Sequence, residues 1–407
     1  MTGSGSTISP ERTAGTQQAV RGLARAEALY QNRVQPAQEQ KADGRTVMGY
    51  LCIYPPLEMM TALGMVPYRV FGDMREPVTE ADRGLPVAFC PFVRSCLDLG
   101  LKEEYGFLDG MVATHACDAM EKAAHVWERM IGHPYFHFIE VPTKVNARSI
   151  EVFKGELQAF RQTLERFAGQ DLSDDELRGA IQRHNEQRTL VRELYALRKP
   201  DPPLISGSET LKVLKAVMSL PVGEGNDLLH EVISEVQERP NPLKGGLPRL
   251  LVWGSIVDDV GLIEVIEQSG SNVVVDDTCV GSRAFWKDVP VTGDPVDGLA
   301  HHYLGDIKCA RTFFEVPEGE KNAVSKDRQG DLDARFGYLK SMIEGWNVDG
   351  VVVQSVKYCD THGFDVPDVR AYFASLGVPT TYLEHDYTEG SLAPLRTRVQ
   401  GFLEMMG

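Results

Sequence analysis

One pattern occurs twice, once in each half of the chain, and it constrains the fold more than any other feature. Segments 109–118 and 349–360 both open with Asp-Gly, continue with an apolar run and end at Cys-Asp. Each contains one of four strand-like runs that alternate with helix-like stretches. These runs are 47–54, 65–71, 107–113 and 136–141 in the first half, and 249–255, 271–277, 350–356 and 379–386 in the second. Such alternation favours parallel sheets covered by helices, so the sequence predicts an α/β protein with two related doubly wound parallel-sheet domains.

A stretch without a convincing strand, residues 149–240, separates the two alternations. Its apolar residues recur at helical spacing, and Ser173 followed by Glu176 fits a capping box. We therefore predict an intervening helical layer. The expected organisation is a disordered tail and helical arm over 1–45, an N-terminal α/β domain with the helical layer over 46–205, and a C-terminal α/β domain over 206–407.

Charge and hydropathy exclude several classes of partner. The chain has 42 Lys and Arg against 58 Asp and Glu, a net charge of −16, whereas nucleic-acid binding requires a basic surface. No run of about 18 apolar residues could span a membrane, and the N-terminus lacks an apolar secretory core. We expect a cytoplasmic protein with no nucleic-acid or membrane partner. Neither GxGxxG nor a Walker lysine is present, so ATP hydrolysis is not expected of this chain.

Seven cysteines stand at positions 52, 90, 96, 117, 279, 309 and 359, and an odd number in a cytosolic type of chain argues against a disulfide framework. Ligands of open α/β sheets bind outside the carboxyl ends of the strands. Cys117 and Cys359 follow equivalent predicted strands, and Cys90 precedes a predicted helix, whose N-terminus favours thiolate. These three positions indicate a metal or iron–sulfur site between the domains. Buried structural thiols are the alternative.

The other four cysteines give weaker indications. Cys96 falls inside the helix predicted after Cys90 and is expected to be a core residue. Cys52 and Cys279 stand near strand ends, so they could line the same crevice. The position of Cys309 is ambiguous.

Six segments resemble the 2-hydroxyacyl-CoA dehydratase/benzoyl-CoA reductase family, and they occur in that family's order. They are residues 49–72, 89–101, 107–118, 273–285, 349–360 and 382–406. The resemblance implies two flavodoxin-like domains around a 4Fe-4S cluster, and the family's cluster cysteines correspond to Cys90, Cys117 and Cys359. It also implies an iron–sulfur subunit of an (R)-2-hydroxyacyl-CoA dehydratase, which eliminates water from an acyl-CoA substrate through a ketyl radical to give a 2-enoyl-CoA. The implied partners are a homologous second subunit and a separate ATP-hydrolysing iron–sulfur activator.

Glu58 occupies the family's Pro-x-Glu position, just past the first predicted strand. We expect it to assist proton transfer or departure of the hydroxyl group, because a desolvated carboxylate can be tuned for acid–base work. The alternative is an acid that merely interacts with a helix N-terminus. His301 and His302 are expected on a solvated helix.

Three other functions stay open from the sequence. Within the family, the chain could be a benzoyl-CoA reductase subunit. It could also be a low-potential reductase with a double-cubane 8Fe-9S cluster, for which Cys52, Cys279 and Cys309 would be additional ligands. Outside that chemistry, it could be a non-catalytic α/β binding subunit.

Overall fold

The chain forms two four-stranded parallel sheets with a layer of long helices between them in sequence. The computed structural model describes residues 22–240, 243–314 and 328–407, and the predicted disordered tail lies outside these ranges. The α/β class and the two flavodoxin-like sheets are confirmed. No helix in the described ranges is both long and apolar enough to cross a membrane.

The predicted helical arm consists of two helices, α1 (Gly22–Gln31) and α2 (Val34–Ala42). Arg33 lies between them and is buried. Its guanidinium donates to the Ser219 hydroxyl (2.7 Å) and to the carbonyl oxygen of Arg69 (2.8 Å). Tyr30 donates to Asp259 (3.2 Å). These contacts fix the arm against both halves of the chain.

The first sheet is built from short, largely buried strands at the predicted positions. Its strands are β1 (Val47–Tyr50), β2 (Val66–Arg69), β3 (Gly110–Thr114) and β4 (Tyr135–Ile139), in the order β2-β1-β3-β4. The helices that follow its strands are α3 (Leu57–Ala62), α4 (Pro91–Leu101) and α5 (Asp118–Met130). Because all pairings are parallel, the loops that precede these helices leave the same edge of the sheet.

The strand-free stretch forms the helical layer that the sequence predicts, after a two-residue strand β5 (Lys144–Val145). Its helices are α6 (Ala147–Ala168), α7 (Asp174–Ala196), α8 (Gly207–Val217) and α9 (Val222–Gln237). The predicted capping box of Ser173 and Glu176 starts α7. Helix α7 buries His184 and Arg188 along with its apolar face, which brings polar groups into the region between the sheets.

The second sheet repeats the connectivity of the first. Its strands are β6 (Arg249–Gly254), β7 (Asn272–Asp277), β9 (Gly350–Val356) and β10 (Thr380–His385), in the order β10-β9-β6-β7. Its helices are α10 (Gly261–Gln268), α11 (Ser282–Phe285), α12 (Pro295–Ala300) with a π-helical turn over His301–Asp306, α13 (Arg328–Gly345), α14 (Asp360–Ser375) and α15 (Leu392–Met406). In both sheets the first strand lies between the second and the third. Strand β8 (Phe313–Phe314) pairs with β5 and so joins the two halves.

The repeated Asp-Gly pattern has the same structural role in both sheets. Asp109 accepts a hydrogen bond from the backbone N–H of Val47 (2.9 Å), the first residue of β1. Asp349 accepts one from Arg249 (2.8 Å), the first residue of β6. A Cβ on the glycine after either aspartate would lie 2.8 Å from a neighbouring side chain. The pattern therefore fixes the register of the third strand relative to the first strand in each sheet.

Candidate functional site

Three helix N-termini bring together the three cysteines that the sequence singles out. Cys90, Cys117 and Cys359, here called the first thiol group, are the N-cap residues of α4, α5 and α14 respectively. Their side chains are close enough for the charge of one thiolate to affect another. Two come from the first half of the chain and one from the second, so the group spans the two sheets.

The buried environment of the first thiol group disfavours the ionised form of each cysteine when no metal is bound. Burial raises the pKa of Cys90 to about 12 and that of Cys117 to about 11, although backbone N–H groups of the helix starts oppose the shift. One of these, the N–H of Met120, donates to the Cys117 sulfur (3.4 Å). Burial and the two neighbouring thiols also raise the pKa of Cys359 well above its ordinary value. Without a cation the three stay protonated at neutral pH, whereas a bound metal would displace the protons.

The spacing of the sulfur atoms is too wide for a single zinc ion. In the described ranges, no three cysteine sulfurs lie within 4.8 Å of one another. Tetrahedral zinc, with Zn–S bonds of about 2.3 Å, needs sulfurs roughly 3.8 Å apart. A larger centre, in which each thiolate binds a different metal atom, suits this separation better.

A second thiol group, Cys52, Cys279 and Cys309, lies beside the first. Its members are close enough that ionisation of one thiol would raise the pKa of another, and Cys309 has the same effect on Cys117 of the first thiol group. Cys52 follows β1 with a φ of 71°, a left-handed conformation that costs a residue with a side chain on the order of 1–3 kcal/mol. Burial raises its pKa, and the other two thiols add to the effect. The remaining cysteine, Cys96, is buried inside α4, which confirms that it is a core residue.

A chain of polar contacts connects the two thiol groups. The Cys359 sulfur lies 3.5 Å from His362 Nδ1, His362 Nε2 lies 3.0 Å from Arg283 Nη1, and that nitrogen lies 3.4 Å from the Cys279 sulfur. A guanidinium can only donate, so Nε2 of His362 is the acceptor. Burial holds the pKa of His362 well below its ordinary value, so the ring is neutral and its proton lies on Nδ1, facing Cys359.

Glu58 lies in the first turn of α3 and is completely buried. Its carboxylate accepts from Arg188 (2.7 Å) and from the hydroxyl of Tyr303 (2.9 Å). Burial is the largest single effect and would raise its pKa, but the charge and hydrogen bond of Arg188, together with the charges of His184 and His302, outweigh burial and hold the pKa at about 2. Glu58 is therefore ionised at neutral pH.

One of the two adjacent histidines contradicts the expectation of a solvated helix. His301 is exposed, but His302 is 2% exposed and lies close enough to Glu58 for their charges to interact. The reason is that α12 and the π-helical turn pack on α6, and α12 also packs on α7. Neighbouring residues of a helical turn point in different directions, so one histidine faces the layer and the other faces solvent.

A cavity of about 50 Å³ lies beside Glu58, where the first sheet, the helical layer and the second half meet. Tyr50 and Arg69 line it from the ends of β1 and β2, and Arg188 and Tyr303 line it from the other elements. Most of the remaining wall is apolar. Domain junctions and strand ends are typical places for ligand sites, and the volume of this cavity admits only a small group.

Sequence reasoning missed four polar residues of this region: Arg188, Tyr303, Arg283 and His362. Two of them leave a trace in the sequence, since Arg283 and His362 follow Cys279 and Cys359 by four and three residues, one helical turn. Nothing local marks Arg188 or Tyr303, because their partner Glu58 is far away in the chain.

The fold and these side chains define a class: a two-domain α/β protein with a thiol-rich site and a small cavity between its parallel sheets. The family model for the 2-hydroxyglutaryl-CoA dehydratase D-component matches residues 52–406. The chain belongs to this family. The resemblance carried by the six sequence segments is thereby confirmed.

Several named relatives match along nearly their whole length. A benzoyl-CoA reductase subunit of Thauera aromatica is 28% identical over 397 residues, covering 94% of this chain and 97% of that protein. Putative dehydratase subunit YjiM of Escherichia coli is 28% identical over 380 residues, with 90% and 93% coverage. The (R)-phenyllactyl-CoA dehydratase beta subunit of Clostridium sporogenes is 25% identical over 366 residues, with 89% and 92% coverage. Relatives named as dehydratases and as a reductase support an enzymatic role for this chain.

Proposed function

We propose that this chain is the iron–sulfur subunit of an (R)-2-hydroxyacyl-CoA dehydratase, and that the first thiol group holds a 4Fe-4S cluster. The observation that carries the proposal is the convergence of three cysteines from both halves of the chain, each at a helix N-terminus. The donor set fits the cluster, because thiolates are its usual ligands and the sulfurs are too far apart for one zinc ion. When bound, the cluster supplies low-potential electron transfer and an iron that is open to the substrate oxygen.

The chain's own residues prepare this site for negative charge. The three helix dipoles place partial positive charge at Cys90, Cys117 and Cys359. The N–H of Met120 and the Nδ1–H of His362 face sulfur atoms of the group. Hydrogen bonds to sulfur stabilise the more negative, reduced state of a cluster.

The cavity beside Glu58 is the proposed site of the reacting part of the acyl-CoA. Glu58 is ionised and reaches the cavity through Tyr303 and Arg188, which both line it. In this proposal Glu58 assists proton transfer or hydroxyl departure as a positioning residue. It accepts the phenolic hydrogen of Tyr303 in a hydrogen bond, which leaves the lone pairs of the phenol oxygen free to accept a hydrogen bond from the substrate side.

The proposal includes partners and a location. The relatives are named as subunits, which supports a homologous second subunit for this chain. Because the sequence has neither a GxGxxG nor a Walker lysine, ATP hydrolysis is assigned to a separate iron–sulfur activator. A cytoplasmic location follows from the same scheme.

A second candidate function is favoured by the second thiol group. Six thiols in two interacting sets, connected through His362 and Arg283, could hold a double-cubane 8Fe-9S cluster, and the chain would then be a low-potential reductase. The similarity to a benzoyl-CoA reductase subunit makes that reaction a further possibility within the same electron-transfer chemistry. Both alternatives share the first thiol group with the dehydratase.

Anaerobic purification followed by iron and sulfide analysis tests these proposals. We expect about four irons per chain for a 4Fe-4S cluster, about eight for a double cubane, and none for a non-catalytic binding subunit. Cys90→Ser, Cys117→Ser and Cys359→Ser should each lose the iron while the far-ultraviolet circular dichroism is unchanged. Cys96→Ser is the matched control and should keep it. Full iron in all three variants would refute the ligand assignment.

A further inference from the structure

Arg69 is a buried guanidinium for which the described part of the chain provides no carboxylate partner. It is the last residue of β2, is 2% exposed and lines the cavity beside Glu58. Its Nη1 donates to the carbonyl oxygen of Cys279 (2.8 Å) and contacts the Met218 sulfur (3.7 Å). Its Nε–H is buried without an acceptor, and no hydrogen bond from Nη2 is found within residues 22–240, 243–314 and 328–407.

This arrangement is costly unless a ligand completes it. A buried polar group without a partner destabilises the folded protein, and the loss is larger when the group is charged. Nε and Nη2 form one edge of the guanidinium, and two parallel N–H donors on such an edge match the two oxygens of a carboxylate. The edge that lacks partners in Arg69 is thus the edge that makes bidentate carboxylate pairs.

The rest of the cavity favours the same ligand. Among the residues that the structure describes, no Asp or Glu lines the cavity, so these residues present no carboxylate that would repel an anion at the wall. The other lining guanidinium, Arg188, is already neutralised by Glu58. Burial holds the pKa of His184 at about 4, so this lining histidine is neutral. Arg69 therefore contributes an uncompensated positive charge among apolar side chains such as Leu57, Val217 and Phe285.

We propose that Arg69 anchors a small carboxylate in this cavity through the Nε and Nη2 edge. The inference rests on the proposed function in one respect, since it names the ligand chemistry of the cavity assigned to the reacting acyl group. The carboxylate can arrive as a free acid or as the terminal group of a coenzyme A thioester. The volume limits the group to a few non-hydrogen atoms.

Calorimetric titration of the anaerobically purified full chain tests the proposal, with iron content measured on the same sample. The probes are propionate, its neutral analogue propionamide, succinyl-CoA and propionyl-CoA. We expect propionate to bind and propionamide not to bind. Succinyl-CoA binding more tightly than propionyl-CoA would identify the thioester as the source of the carboxylate, and equal binding of the two would identify the free acid.

Substitutions separate the anchor from other roles of Arg69. Arg69→Gln should weaken propionate binding at least tenfold and keep the iron content, and Arg69→Lys should restore part of the affinity. The matched control Arg192→Gln removes a half-buried arginine that is paired with Asp288 outside the cavity and should bind as the unaltered protein does. If Arg69→Gln does not fold, Ala284→Leu keeps Arg69, fills the cavity with a larger side chain at another lining residue and should abolish binding.

Three results with these probes and variants would overturn the inference, and a fourth concerns the unaltered chain. They are equal binding of propionate and propionamide, unchanged propionate affinity in a folded Arg69 variant, and loss of iron from that variant. The last result would make Arg69 a counter-charge for the second thiol group. Failure of the unaltered chain to bind propionate while it holds its full iron would reject the inference alone, whereas absence of iron would reject the proposed function.

Discussion

Replacement of Glu58 by glutamine tests the electrostatics of the buried pair most directly. Folding lowers the pKa of Glu58 from 4.5 to about 2, and a tenfold change in an acid dissociation constant corresponds to about 1.4 kcal/mol. The ionised carboxylate thus contributes roughly 3 kcal/mol to the free energy of unfolding at neutral pH. Removing one member of a buried ion pair costs about 3–5 kcal/mol, because the remaining charge is left buried without a partner. We expect Glu58→Gln to destabilise the protein by about 3 kcal/mol.

The pH dependence of this effect has a definite sign. The folded pKa of Glu58 lies below its ordinary value, so its contribution is complete above about pH 4.5 and disappears as the pH falls towards 2. The difference in unfolding free energy between the unaltered protein and Glu58→Gln should therefore shrink over this interval. It should be constant between about pH 6 and 8.

Urea unfolding followed by circular dichroism measures the loss. Arg188→Met should cost a similar amount, whereas the double variant Glu58→Gln/Arg188→Met should cost less than the sum, because no charge is left unpaired. Glu231→Gln, which removes the exposed pair with Arg25, is the matched control and should cost less than about 1 kcal/mol. A loss below about 1 kcal/mol for Glu58→Gln would refute the argument that Arg188 holds this carboxylate ionised.

Four further predictions follow from the same structure. In the assembled enzyme, Glu58→Gln should keep the iron but lower turnover on the order of a hundredfold, and turnover within a few-fold would leave it only a structural role. His362→Phe should keep the iron and make the cluster's midpoint potential in an EPR-monitored titration more negative, since a donor to Cys359 is lost; an unchanged potential would contradict the assigned tautomer. Cys96→Ala should retain iron and cost on the order of 1 kcal/mol in a urea titration, so iron loss would make Cys96 a ligand. Ser173→Ala should cost about 1 kcal/mol through the lost capping box of α7, which calorimetric melting measures, and an unchanged melting temperature would count against it.

Periodicity predicted most of the fold because it reports burial. All eight strand-like runs overlap strands of the two sheets, and segment 350–356 matches β9 at both ends. The start of a helix could be predicted where a side chain caps the backbone, as at Ser173. Parallel strands also place their following loops at one edge, which is why Cys117 and Cys359 could be expected to meet.

The pairing of polar residues could not be predicted, because it depends on tertiary distances. Glu58 and Arg188 are 130 residues apart, and each has an ordinary helical context in the sequence. The burial of His302 depends on which face of its helix packs on the layer, and the sequence alone does not define that face. The small cavity beside Arg69 arises from elements of three separate regions.

The two thiol groups divide their members unequally between the halves of the chain. The first draws two cysteines from residues before the helical layer and one from after it, and the second draws one from before and two from after. Neither half could therefore keep a complete site if the chain were cut within the helical layer. Two such fragments would have to reassociate to restore either group. Recovery of the site from separately expressed fragments would therefore report that the two halves have come together. The two halves have the same sheet connectivity, but neither half alone contains all the cysteines of either thiol group. A complete thiol group therefore requires both halves.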